Sequence, residues 1–157
     1  MQSRIVDEIV RESVESLFGT QGVTLIPADE TGLFKVVAVV GFAGARVRGS
    51  LGLGATGLPE MHVNPADVED WIAEMANQLL GRIGNRFAAR GVEVELAVPM
   101  VLRGVELRVE RSSVLLTYPF QTGGGELCAW IDVRPFERLE LSAHEALPIS
   151  EGEVCLF

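Results

Sequence analysis

Ala66 to Ala89 is a run of 24 residues without a proline, and its apolar residues recur at helical spacing. Asn64-Pro65 supplies a start, with Asn64 as cap and Pro65 at the first helical position. Gly91, just after Arg90, suits the left-handed conformation that closes a helix. At about 1.5 Å per residue the rod is ~35 Å long, enough to cross a small domain. The rest of the chain must be arranged against it.

Turning the rod by ~100° per residue separates two faces. Ile72, Met75, Ala76, Leu79, Leu80, Ile83 and Phe87 share one side, which is the core stripe. The other side holds Asp70, Glu74, Asn77, Gly81, Gly84, Asn85 and Ala88. A solvated helix face ordinarily carries lysine, arginine and glutamate. Here it carries two glycines, each costing ~1 kcal/mol relative to alanine in a helix interior. Either another element of the same chain approaches closely there, or a second protein docks, with Glu74 and Asn77 projecting into it from a rigid support.

Other segments are shorter. Ser3 to Phe18 reads as an amphipathic helix, with Ile5, Val6, Ile9, Val10, Val14, Leu17 and Phe18 at three- and four-residue steps and Gly19 as its stop. Phe34–Phe42 is rich in β-branched residues and reads as a strand. It turns at Ala43-Gly44 and returns as Ala45–Leu53. A brief helical turn is expected around Leu58–Met61. Beyond the long helix, Val92–Arg103, Glu106–Glu110, Ser113–Tyr118 and Glu126–Val133 read as strands, the last two joined by a hairpin at Gly123-Gly124-Gly125. This order predicts an α+β domain in which one antiparallel sheet carries both helices on a face. The whole chain, 1–157, is expected to be one domain, with a core to residue 136 and an acidic extension over 137–157.

Bulk properties narrow the partners. The chain is 48% hydrophobic and 22% charged, hence globular. A net charge of −9 with one lysine, Lys35, argues against nucleic acid and anionic membranes. No segment reaches the ~18 apolar residues of a membrane span, and no signal peptide is evident, so a cytoplasmic location is expected. Cys128 and Cys155 are too few for a disulfide framework and too far apart for a zinc knuckle. Gly52-Leu53-Gly54-Ala55-Thr56-Gly57 spells a dinucleotide fingerprint, yet Pro59 and Pro65 leave no room for the helix it requires. His62 and His144 are isolated. Trp71 and Trp130 read as core or dimer contacts, and no serine has a histidine and acid to form a triad.

The run from Asp70 through Glu74 to Asn77, followed by Gly81, Val98-Pro99 and Arg103-Gly104, resembles the CheC/CheX chemotaxis phosphatases. Their signature is an acidic or serine residue, then Glu four positions on, Asn three further, and a proline some twenty-odd residues later. Pro99 lies 22 positions after Asn77. The small-residue strand Gly49-Ser50-Leu51-Gly52-Leu53 is similar to the one preceding this helix in the family, and the resemblance covers roughly Val36 to Val133. A single Glu-x-x-Asn helix points to the CheX type, since CheC-type members carry two.

The resemblance implies a CheC-like fold, a symmetric homodimer, and hydrolysis of the aspartyl-phosphate of a CheY-like receiver domain. Phosphoryl transfer needs positioning and charge stabilisation more than covalent help. A carboxamide offers an acceptor for water and a donor for a phosphoryl oxygen, which gives Asn77 the water-orienting role. Glu74 would pair with the receiver's lysine. Asp70, Gly81 and Gly84 would contact the partner. No metal ligand or cofactor is expected on this chain; Mg2+ would come with the phosphorylated receiver. The alternative is a non-catalytic regulator-binding or scaffold module of the same fold, related to chemotaxis or the flagellar switch.

Overall fold

The computed structural model describes residues 2–30, 32–56, 67–110 and 115–135. The Asn64-Pro65 helix start, the turn around Leu58–Met61, the extension 137–157, His62, His144 and Cys155 lie outside them.

Two helices and seven strands follow in the order α1 (Gln2–Thr20), β1 (Ile26–Pro27), β2 (Phe34–Ala43), β3 (Val47–Ala55), α2 (Val68–Ala88), β4 (Glu95–Leu96), β5 (Met100–Leu107), β6 (Leu115–Thr122) and β7 (Gly125–Pro135). All pair antiparallel in one sheet ordered β1-β6-β7-β3-β2-β4, with β5 also on the outer side of β2. Strand side chains alternate between faces. Val36, Ala38, Val40, Leu51, Leu53, Ala129 and Ile131 therefore point to one side. There they form a single core with Val10, Val14 and Leu17 of α1 and Ile72, Leu79 and Ile83 of α2. Both helices cover the same face, as the element order predicted. The opposite face holds a smaller cluster of Phe34, Val37, Cys128 and Trp130, with the Phe34 and Trp130 rings stacked at 6.1 Å. Burial there pushes the Cys128 thiol up to about 12, which leaves it a packing residue rather than a nucleophile.

Several boundaries differ from the sequence expectation. α1 continues through Gly19, and its end is set by Gly22, whose φ of 71° is left-handed. The Val23 N–H turns back to the Phe18 carbonyl at 3.0 Å, so Gly19 is not the stop. α2 begins at Val68, and Asp67 at its N-cap makes no side-chain capping bond. Its far end closes as expected. Gly91 has φ 79°, and the Val92 N–H reaches the Phe87 carbonyl at 2.9 Å.

The expected strand Val92–Arg103 is divided. Phe42 pairs with Leu96, but Val39 pairs with Met100, so the register slips by one residue across Ala97–Pro99. Pro99 has no N–H to give the ladder. Glu106–Glu110 is not a separate strand: residues 106 and 107 finish β5, past a second irregularity between Phe34 and Val36 on the partner strand.

Candidate active site

α2 has three sides. Ile72, Met75, Ala76, Leu79, Leu80, Ile83 and Phe87 are buried on the core side. A second side is clasped by α1: Arg82 Nη1 donates to Ser16 Oγ at 2.5 Å, and Arg86 pairs with Glu12. The third faces outward. On it Asp70, Glu74, Asn77, Asn85 and Ala88 are exposed, and Gly81 is partly so.

The two glycines have different surroundings. A Cβ built on Gly81 meets none of the described residues within 4 Å. A Cβ on Gly84 would lie 3.4 Å from Val94 Cγ2 and 3.9 Å from Leu96 Cδ1. Gly84 is buried, and the edge strand of the same chain covers it. The expectation that it belongs to the outward, partner-facing surface is corrected: its smallness lets the β4 region approach. Among the described residues Gly81 has no such internal reason.

Two contacts fix how α2 runs along the sheet edge. Glu69 Oε1 and Arg103 Nε are 2.7 Å apart near the start of the helix, and Gly84 lies against Leu96 near its end. The pair is largely exposed and worth at most about 1 kcal/mol, so its value is as a locator. From Glu69 to Gly84 is 15 helical residues, ~22 Å at about 1.5 Å each. From Arg103 back to Leu96 is seven strand residues, ~23 Å at about 3.3 Å each. The helix and the edge therefore run antiparallel over matched lengths. Asn77 comes eight residues after Glu69, or ~12 Å along. Pro99 comes four residues before Arg103, or ~13 Å along. By rise alone Asn77 and Pro99 stand at similar distances along the helix and the edge, although 22 residues separate them in the chain.

Glu74 and Asn77 project one turn apart on this surface. Asn77 makes no side-chain hydrogen bond among the described residues, so its carboxamide has both a donor and an acceptor available. Glu74 is held by one bond: Gln78 Nε2 donates to its Oε1 at 2.7 Å. Sequence reasoning passed over Gln78, although its four-residue step from Glu74 is a recognised helical pairing distance. The Glu69–Arg103 contact left no local signal, because its partners meet only through the fold. Among the described residues no three His, Cys, Asp or Glu side chains gather as metal ligands, and no helix is long and apolar enough to cross a membrane. A groove whose lining includes Arg48, Ser50, Asp132 and Arg134 opens beside β4 toward the opposite face of the sheet.

Residues 55–121 match the family model described as chemotaxis phosphatase CheX. The chemotaxis protein CheX of Vibrio vulnificus superposes with a TM-score of 0.71 at 18% identity, over 82% of this chain and 96% of that one. The chain is similar to CheX over those residues. A CheC-like superfamily protein from Shewanella sp. PV-4 gives 0.69 at 19% identity, over 82% and 97% of the two chains. A Borrelia burgdorferi CheX, solved as a CheX–CheY–BeF3–Mg2+ complex, gives 0.58 at 16% identity, over 82% and 95%. No curated protein matches the chain. At these identities the structural neighbours establish the CheC/CheX fold, with both helices on one face of an antiparallel sheet.

Proposed function

We propose that this CheX-like chain hydrolyses the aspartyl-phosphate of a CheY-like receiver domain. One observation carries the reading: Glu74 and Asn77 stand outward beside Gly81, a helix glycine against which none of the described residues packs. A phosphorylated receiver docks over Gly81, where the missing side chain lets its backbone come close. Glu74 takes the receiver's lysine in a charge-assisted bond and fixes register. The Asn77 oxygen accepts a hydrogen bond from a water and aims it in line with the scissile P–O bond, while its NH2 donates to a phosphoryl oxygen. Water oxygen bonds to phosphorus as the bond to the aspartyl oxygen breaks. The carboxylate leaves with the electron pair, and the water's proton ends on inorganic phosphate. Asn77 has no charge to repel the incoming group, which an aspartate there would have. Mg2+ would arrive with the receiver and offset phosphoryl charge; the Borrelia complex holds CheY, BeF3 and Mg2+ together with its CheX.

The test is release of inorganic phosphate from phosphorylated receivers. Asn77→Ala is expected to lower turnover at least ~100-fold, the scale of losing a positioned polar group in a transition state, with an unchanged melting temperature. Equal rates for the two proteins would leave a regulator-binding module of the same fold.

The reading includes a homodimer. The sheet edge formed by β4 and β5 leaves Val98 87% exposed and Met100 59% exposed, an apolar edge that monomers ordinarily protect. A second copy across a twofold axis suits it. Light scattering should give twice the chain mass for the wild type, and Met100→Glu should shift it toward monomer. A monomeric wild type would refute the dimer.

A further inference from the structure

We infer that Gln78 is a positioning residue that holds Glu74 ready for the partner's lysine without neutralising it. The inference deepens the proposed phosphatase reading and rests on it. In an α-helix each Cα–Cβ bond tilts toward the N-terminus, so a side chain at i+4 reaches back over residue i. Gln78 does this, with Nε2 at 2.7 Å from Glu74 Oε1. One carboxylate oxygen is thereby occupied and the other is left for a ligand. An exposed glutamate otherwise samples many rotamers, and immobilising such a side chain on binding weakens affinity by roughly two- to tenfold. A neighbour that orders it in advance removes part of that loss.

The choice of glutamine is informative. Lysine or arginine four residues after a glutamate is the arrangement that best stabilises an exposed helix. Here it would also satisfy the carboxylate and set a positive charge against the incoming lysine. A carboxamide donates one hydrogen bond and carries no charge, so Glu74 keeps its full attraction for a cation. If Gln78 served only the helix, lysine would serve it at least as well.

The experiment measures KM and kcat for a phosphorylated receiver, with Asn77→Ala as the control. Gln78→Met, similar in size but unable to donate, should raise KM about two- to tenfold at unchanged kcat. Gln78→Lys should raise KM more than Gln78→Met while leaving the melting temperature equal or higher. In a Glu74→Ala background, Gln78→Met should have no further effect, since its action runs through that carboxylate. Wild-type KM in both Gln78 variants, with wild type active and Asn77→Ala impaired, would overturn this role alone. An equal or additive effect of Gln78→Met in the Glu74→Ala background would also overturn it. Wild type no faster than Asn77→Ala would overturn the phosphatase reading, and the role of Gln78 with it.

Discussion

The glycines of β3 and Gly81 of α2 look alike in the sequence and stand in opposite surroundings. On β3, Gly52 lies beneath the Trp130 indole, and a Cβ there would run into the ring; a Cβ on Gly54 would lie 2.8 Å from the Phe34 ring. These glycines make room for aromatic side chains of the same molecule. On α2, a Cβ at Gly81 would meet none of the described residues within 4 Å. The helix bears a propensity cost of ~1 kcal/mol there, and no contact among the described residues offsets it. A small residue filled by its own chain reports packing, whereas an unfilled one on a rigid outward face invites a reason outside the chain.

The contrast can be broken by substitution. The largest effect is expected at Gly52. Gly52→Ala forces the Trp130 ring off Phe34 or bends the paired strands, and overpacking of this kind costs about 1–3 kcal/mol or more. Urea denaturation would show it, and an unchanged midpoint would mean the cluster is looser than its stacked rings imply. A smaller pair of effects of opposite sign is expected on α2. Gly84→Leu should destabilise by roughly 1–2 kcal/mol, because the side chain meets Val94 and Leu96. Gly81→Ala should stabilise by up to about 1 kcal/mol, the helix-propensity gain with nothing to clash. If Gly81→Ala destabilised the protein, the face would not be vacant.

How much of this the sequence discloses depends on whether a feature is local. The core stripe of α2 and the outward placement of Glu74 and Asn77 follow from the helical period. Gly91 is recognisable as a cap for the same reason. Gly84 is only about 60° round the helix from Gly81, so a helical wheel assigns them one face. The strand that separates them is brought there by tertiary pairing of β4 with β2. The broken edge at Ala97–Pro99 is half legible: a proline forecasts an interruption, but not that both pieces continue along the same neighbour. Gly19 misled for a simpler reason. A helix end needs a left-handed residue where the chain must turn, and that residue is Gly22. The Gln78–Glu74 bond was within reach of the four-residue rule and lay hidden behind the more conspicuous Glu-x-x-Asn spacing.

In the proposed function a receiver domain sits over Gly81, where none of the described residues comes within 4 Å of a Cβ. Titration of a receiver carrying BeF3 and Mg2+ against wild type and Gly81→Arg tests it most directly, with melting temperatures measured alongside. Gly81→Arg should fold at least as stably as wild type, since arginine is a better helix former than glycine, and bind the receiver at least about tenfold more weakly. Equal dissociation constants for the two proteins would contradict it.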